Sequence, residues 1–194
     1  MDKNLGPTIK KVKKERNRYM KIAFLINACN PGGAEILVKD LLLKLAGPDH
    51  IIQLWVMCRV EEDLLPTTEA RLAFEEKYIN ELMRSGIKIV FLGKRANKDR
   101  VKVCCALREA YYSFKPEIIH THSETSTCYL IAALYGKQYK LVETIHNTRI
   151  KYSTLQRILI ANKAARLVAI SPEVLKKMKE IGLPEDKIFL IYNG

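Results

Sequence analysis

The sequence predicts an α/β protein in which parallel strands form a doubly wound sheet with helices on both faces. Short, continuous apolar runs recur along the 194 residues, as is typical of strands that are buried on both sides. Segments with helical spacing of apolar residues separate these runs, and such alternation produces parallel strands joined by right-handed crossovers. No linker or shift in composition divides the chain. We therefore expect a single domain with a three-layer, Rossmann-like sheet of about seven parallel strands.

The first unit is a strand, a glycine turn and a helix. Residues 22–26 (IAFLI) form the strand, residues 27–33 (NACNPGG) form the turn, and leucines spaced four apart give the helix from residue 34 one apolar stripe. Gly32 and Gly33 allow positive φ or the close approach of a ligand to the backbone. The start of this helix predicts either a phosphate cradle or a tight connection without a ligand. The turn matches neither G-x-G-x-x-G nor G-x-x-x-x-G-K-[ST], so the sequence indicates neither a nicotinamide cofactor nor a P-loop nucleotide.

The later elements follow the same alternation. Runs rich in β-branched and aromatic residues predict the remaining strands, at residues 51–57, 87–92, 117–120, 140–145, 166–170 and 187–192. Apolar positions at helical spacing predict the remaining helices, at residues 69–84, 98–114, 127–134, 154–163 and 172–181. Pro172 suits the first position of its helix, where no amide hydrogen bond is lost, and Gly182 ends that helix.

The net charge of +12 is concentrated near the start of the chain. Residues 1–21 contain eight basic and two acidic side chains, and eight minus two contributes +6 of that total. We interpret residues 1–19 as a basic extension and residues 20–194 as the folded domain. The basic residues within 3–21 predict either binding to an anionic membrane surface or a solvated arm. Nucleic acid is not expected as a partner, because the predicted sheet lacks interleaved aromatic side chains.

Cysteine usage and hydropathy favour a cytoplasmic protein, peripheral at the inner membrane face if the basic extension binds lipid. The five cysteines are scattered and odd in number, without a C-x-x-C pair, so we expect reduced thiols and no metal site. No apolar run approaches the roughly 20 residues that a membrane-spanning helix needs. No signal-peptide pattern follows the basic extension.

Polar side chains gather where the predicted strands end. In open α/β sheets, ligands bind outside the carboxyl ends of the strands. The segments there are rich in imidazole, hydroxyl, amide and guanidinium groups, which suit sugar hydroxyls or phosphate oxygens. Beyond the two glycines, the candidate site residues are His122, Ser123, Glu124, His146, Asn147, Arg149 and Ser171.

Several of these candidates also have a purely structural interpretation. Because His120 and His122 lie on one extended segment, we expect one ring to point inward and the other toward the crevice, with His122 as the crevice residue. His146 contacts a ligand, caps a strand or bonds a neighbouring carbonyl, and Arg149 binds an anion or is solvated. Ser171 is either a ligand contact or a helix N-cap, a role worth about 1 kcal/mol.

Five segments resemble, in the expected order, the amino-terminal half of family 4 glycosyltransferases: NPGGAE, PEIIHTHS, VETIHNTR, ARLVAISPEVLKKM and IYNG. The match covers about residues 20–194. The resemblance implies one of the two Rossmann-like domains of a GT-B enzyme, with the carboxyl-terminal, donor-binding domain missing from this sequence. It also implies a nucleotide-sugar donor, a glycan or lipid-linked acceptor, and no cofactor. A metal-independent mechanism agrees with the lack of a D-x-D motif in the sequence.

The same resemblance implies roles for individual residues. Gly32 and Gly33 would approach the acceptor or the donor phosphates, and His122 would contact the reacting sugar as the catalytic position. The acceptor side would be lined by His146, Asn147 and Arg149, with Ser123, Glu124 and Ser171 as further substrate-binding candidates. Residues 193–194 would open the connection to the second domain.

We therefore expect the acceptor-binding half of a retaining glycosyltransferase of the hexosyltransferase type. The groups that stabilise the departing nucleoside diphosphate are expected from across the cleft, so this chain alone should be folded but essentially inactive. The alternative is a stand-alone, non-catalytic module that binds a sugar or nucleotide or has a regulatory role.

Overall fold

The computed structural model describes residues 19–150 and 153–192. Within these residues seven strands form one parallel sheet: β1 Met20–Ile26, β2 His50–Val56, β3 Lys88–Phe91, β4 Ile118–Thr121, β5 Lys140–Ile145, β6 Ala164–Ala169 and β7 Ile188–Leu190. The helices are α1 Gly33–Leu45, α2 Glu69–Arg84, α3 Arg100–Phe114, α4 Glu124–Ala133, α5 Ser153–Leu155, α6 Ala161–Lys163 and α7 Pro172–Glu180. This architecture confirms the predicted doubly wound, single-domain α/β fold.

The order of the strands creates a switch point next to β1. The order is β3-β2-β1-β4-β5-β6-β7, so the chain winds from β1 toward β3 and then crosses through α3 to β4, on the other side of β1. The connections on the two sides of β1 therefore run in opposite directions, and the loops after β1 and β4 diverge. Open α/β sheets bind ligands at such a switch point.

Each face of the sheet packs against its own set of helices. Side chains alternate along a strand, so Ala23 and Leu25 of β1 belong to a cluster completed by α3, α4 and α7. Phe24 and Ile26 belong to a second cluster, which α1 and α2 complete. Trp55 of β2 is fully buried in the first cluster. The sheet is thus the middle of three layers.

Two helices differ from the sequence expectation. α4 begins at Glu124 and not near residue 127. The apolar spacing did not indicate this first turn, because its residues are polar. The helix expected at residues 154–163 is interrupted, since a π-helical turn, Gln156–Ile160, separates α5 from α6. This turn buries the Gln156 side chain against the sheet.

A buried ion pair ties the turn after β1 to the loop after β2. Arg71 of α2 lies 2.7 Å from Asp63, and the two side chains are only 10% and 8% exposed. The Asn30 amide donates to Asp63, and its oxygen accepts from Arg71 Nε. Arg71 also donates to the carbonyl oxygens of Leu65 and Pro66. Because a buried charge without a partner costs several kcal/mol, this network holds both loops in one arrangement.

Two expectations fall on residues outside the described ranges. The basic extension, residues 1–18 of the 1–19 expected, is one, and residues 193–194, expected to open a connection to a second domain, are the other. The first described strand starts at Met20. Of the helices in residues 19–150 and 153–192, none has the length and apolar character of a membrane span.

Candidate functional site

The loops after β1, β4 and β5 surround a cleft at the carboxyl edge of the sheet. A cavity of about 520 Å³ lies at the switch point, with Asn27 and Gly33 in its lining. A second cavity of about 670 Å³ extends toward α4 and the end of β5. Both cavities are lined by His122, Ser123, His146 and Asn147. We call the two together the switch-point cleft.

Seven of the nine candidate residues line this cleft: Gly33, His122, Ser123, Glu124, His146, Asn147 and Arg149. Gly32 and Ser171 are not among the described residues that line it. The Ser171 hydroxyl accepts a hydrogen bond from the Val174 amide at 3.3 Å and caps α7, whereas the neighbouring Ile170 lines the cleft. The loops therefore converge at one edge of the sheet, and Ser171 makes the N-cap hydrogen bond that was one of its two interpretations.

The glycine turn does not use positive φ. Gly32 is the N-cap of α1 with φ of −162° and ψ of 158°, which is extended backbone open to any residue, and Gly33 likewise has no positive φ in the described structure. A Cβ on Gly32 would lie 2.6 Å from Glu35 Oε2, and one on Gly33 would meet nothing within 4 Å among the described atoms. Positive φ therefore does not explain either glycine, and Gly33 is the one of the two that lines the cleft.

The rings of His120 and His122 lie on the same face of the sheet, so the expectation that they point in different directions is wrong. Their centroids are 4.2 Å apart, and both rings pack against Phe24. The physical reason is that residues two apart in an extended segment project to the same side. His120 Nε2 lies 2.8 Å from Thr144 Oγ1, which gives that ring a partner inside the fold.

His122 presents one free ring nitrogen next to the cleft. Its Nδ1 lies 3.1 Å from His146 Nε2, within hydrogen-bonding distance, whereas its buried Nε2 has no partner in the part of the chain that the structure describes. Burial, followed by the proximity of His120 and His146, lowers the pKa of His122 well below its usual range. Burial also lowers the pKa of His120 to about 4, and lowers the pKa of His146. All three rings are therefore uncharged near neutral pH, so Nε2 of His122 is a hydrogen-bond donor or acceptor according to the tautomer.

Glu143 is a cleft residue that the sequence analysis missed. It lies on β5, is fully buried, and lines the 670 Å³ cavity. Its carboxyl accepts a hydrogen bond from the Thr127 hydroxyl at 3.0 Å and another from the Gln156 amide. Burial raises the pKa of Glu143 to about 7, against the opposing effect of these hydrogen bonds. The available signal was a carboxyl group among the apolar residues of a predicted buried strand.

The parallel sheet and the cleft at its switch point together define a class of protein. An open parallel sheet with a polar cleft at its switch point is typical of a Rossmann-like, ligand-binding domain. Among residues 19–150 and 153–192, no group of three or more His, Cys, Asp or Glu side chains is arranged to hold a metal ion.

Solved structures share this fold. HepE from Anabaena, solved in complex with UDP and glucose, is 15% identical with a TM-score of 0.68, and the match covers 91% of this chain and 45% of HepE. The lipopolysaccharide outer core galactosyltransferase WaaB is 18% identical with a TM-score of 0.62, covering 90% and 46%. Sucrose-phosphate synthase from Thermosynechococcus elongatus is 13% identical with a TM-score of 0.63, covering 91% and 48%. The chain thus spans about half the length of these proteins, which corresponds to one half of a GT-B enzyme.

The chain belongs to Glycosyltransferase Family 4, whose sequence profile matches residues 31–194. This match and the half-length coverage confirm the resemblance to the amino-terminal half of such an enzyme. Comparison with curated proteins gives no match.

Proposed function

We propose that this chain is the acceptor-binding half of a retaining, metal-independent glycosyltransferase of the hexosyltransferase type. The donor is a nucleotide-sugar, and the acceptor is a cell-surface glycan or a lipid-linked sugar. Family membership supports the transferase class. The complex of HepE with UDP and glucose supports the choice of donor.

The observation that carries the proposal is the uncharged His122 ring, only 8% exposed, at the floor of the switch-point cleft. Its free Nε2 can accept a hydrogen bond from a sugar hydroxyl or donate one to it, depending on the tautomer. Phe24 and His120 pack against the ring and fix its orientation. Ser123 and Asn147 add a hydroxyl and an amide to the same cleft, the few convergent polar groups that orient a ligand in such a site.

The proposal also accounts for where the remaining catalytic groups must come from. Negative charge develops on the nucleoside diphosphate as it departs, and a transferase stabilises it with positive charge or hydrogen-bond donors placed in advance. Among the described residues that line the cleft, Arg149 is the one basic side chain, and it is exposed. We therefore expect most of these groups from a second domain facing the cleft, and negligible turnover by this chain alone.

The test compares the 194-residue chain with a longer form that adds a second α/β domain. Release of UDP from UDP-glucose and UDP-galactose is measured with a panel of soluble and lipid-linked glycans. We expect transfer by the longer form only, unchanged by EDTA, with the anomeric configuration of the donor retained in the product by NMR. UDP release by the 194-residue chain at a comparable rate would refute the expectation that a second domain supplies the groups that stabilise the departing diphosphate.

Substitution of the cleft histidine tests the site itself. In the longer form, His122→Gln should lower turnover by about 100-fold, the usual cost of removing one group that bonds the transition state. His50→Gln is the matched control, because His50 lies at the start of β2, at the opposite edge of the sheet from the cleft. Full activity in both variants would reject His122 as a catalytic residue.

The basic extension has a separate test. We propose that it brings the protein to an anionic membrane surface, where each basic residue adds about 1 kcal/mol of attraction. Sedimentation with phosphatidylglycerol vesicles should therefore fall when Lys10, Lys11, Lys13 and Lys14 are changed to alanine together. Unchanged sedimentation would remove this role.

A further inference from the structure

A third cavity extends the switch-point cleft past the ends of β2 and β3. Its volume is about 250 Å³, and its polar lining includes Asn27, Lys94, Ser123 and Thr125. Ser123 and Thr125 also line the 670 Å³ cavity, and Asn27 also lines the cavity at the switch point. The three cavities are therefore neighbours with shared walls. We call this third part the Lys94 recess.

The backbone holds Lys94 at the recess. Its ammonium group forms no ion pair with the described residues. Lys94 follows β3, and its amide donates to the Met57 carbonyl oxygen with an N–O distance of 2.9 Å. Gly93 has φ of +65°, a conformation that glycine adopts without strain, and it turns the chain just before Lys94. The side chain is half-buried, with Nζ 5.7 Å from the centroid of the Tyr129 ring.

The two carboxylates in the lining have other partners. Asp63 forms the buried ion pair with Arg71, and Glu62 accepts a hydrogen bond from the Arg59 amide at 3.1 Å. Within the described ranges of the chain, Lys94 makes no ion pair. A half-buried lysine without an ion-pair partner favours a bound anion, because its charge is screened less than that of a fully exposed lysine.

Hydrogen-bond donors adjoin the same space. Ser123 is the N-cap residue of the ten-residue helix α4, but its hydroxyl makes no capping hydrogen bond in the described structure. This hydroxyl and Thr125, in the first turn of α4, border the recess and can donate hydrogen bonds to a ligand there. His122, with its buried and unpartnered Nε2, precedes Ser123 and lines the adjoining cavities. An ammonium group beside several donors suits the oxygens of a phosphate or a carboxylate.

We propose that the Lys94 recess binds an anionic group of the acceptor, a phosphate or a carboxylate. This inference rests on the proposed function, because the recess opens into the cleft assigned to the acceptor. It narrows the acceptor to an acidic molecule, with its charged group at Lys94 and its reacting end toward His122. A phosphorylated sugar, a lipid-linked phosphate and a uronic acid share this chemistry.

Binding to the 194-residue chain tests the recess without requiring catalysis. Glucose 6-phosphate, glucuronate, inorganic phosphate and neutral glucose are titrated, and affinities are measured by calorimetry and by NMR shifts of the Ser123 and Thr125 amides. We expect saturable binding of at least one organic anion, at least tenfold tighter than that of glucose. Preference for glucose 6-phosphate over glucuronate assigns a phosphate, and the reverse preference assigns a carboxylate.

Two lysine variants show whether Lys94 is responsible. Lys94→Met should weaken anion binding at least tenfold. Lys98→Met is the matched control, because Lys98 is exposed in the same loop and does not line the recess, and it should bind like the unaltered chain. Melting curves confirm that both variants are folded. Equal affinity of Lys94→Met and the unaltered chain, or shifts confined to Gly33 and α1, would overturn the inference.

The failure of this inference is distinguishable from the failure of the proposed function. A two-domain form that binds anions through Lys94 but transfers no sugar would refute the function and leave the anion site standing. A form that transfers sugar to neutral acceptors, with Lys94→Met at full rate, would support the function and overturn the anion site.

Discussion

Replacing Glu143 by glutamine should change how the stability of the fold depends on pH. The carboxyl is fully buried and has a pKa of about 7, raised chiefly by burial from an ordinary value of 4.5. The folded chain therefore keeps the proton to a higher pH than the unfolded chain does. Stability contributed by the protonated carboxyl is fully present below about pH 4.5, is lost as the pH rises to about 7, and does not return above that.

The magnitude follows from the difference between the two pKa values. One unit corresponds to about 1.4 kcal/mol, so the whole loss is about 3 kcal/mol. Between pH 5.5 and 8.5 the unaltered chain should lose about 2 kcal/mol of this contribution to its stability. The amide of Glu143→Gln cannot ionise. Gln156, whose buried Oε1 has no partner among the described residues, can turn its own amide to accept a hydrogen bond from the new one.

Thermal melts of both proteins between pH 5.5 and 8.5, at one ionic strength, measure the effect. A change of 1 kcal/mol shifts Tm by about 2–4 °C at this size, so the variant should gain about 4–8 °C relative to the unaltered chain as the pH rises. Titration of the histidines is common to both proteins and cancels in the difference. Glu109→Gln, on the exposed side of α3, is the control for the loss of a carboxylate and should show no such trend. Parallel pH curves for Glu143→Gln and the unaltered chain would refute the reasoning.

Two further substitutions test the packing around the cleft. Arg71→Met should lower the free energy of unfolding by about 3 kcal/mol in urea melts, because Asp63 stays buried without its partner. Arg95→Met is the control, since it breaks an exposed ion pair and should shift the urea midpoint far less. Equal shifts of the midpoint in the two variants would contradict this prediction. In His120→Phe, the free energy of unfolding should fall less than in the unaltered chain as the pH is lowered. The pKa of His120 is about 4 in the fold against 6.5 ordinarily, so stability present above pH 6.5 is lost as the pH falls toward 4. Urea midpoints that fall equally with pH in both proteins would rule this out.

Local patterns predicted the elements of the fold and the edge that carries the cleft. An apolar run such as residues 22–26 suits a strand covered on both faces, and the stripe of the following helix supplies one of the covers. Repetition of this unit leads to the parallel sheet that the structure shows. Ser171 before Pro172 also predicted an N-cap from local sequence alone, and its hydroxyl accepts from the Val174 amide.

The same local patterns did not predict the contacts between elements that are far apart in the chain. Glu143 lies opposite Thr121 in the β4–β5 register, and its partners come from α4 and from the π-helical turn. The sequence pattern shows a carboxyl in a strand, but not which donors reach it. Lys94 follows a strand as the cleft residues do, yet its place beside Ser123 depends on β3 and β4 lying on opposite sides of β1 and β2.

By itself, the sequence determined the class of fold, the family resemblance and the group of loops that meet at one edge, because the periodicity of apolar residues dictates which segments must be buried. Only the tertiary structure decided that His120 and His122 share a face, that Glu143 holds its proton to about pH 7, and that Lys94 borders the cleft. Those properties depend on distances and on water exclusion between residues far apart in the chain, which no local pattern records.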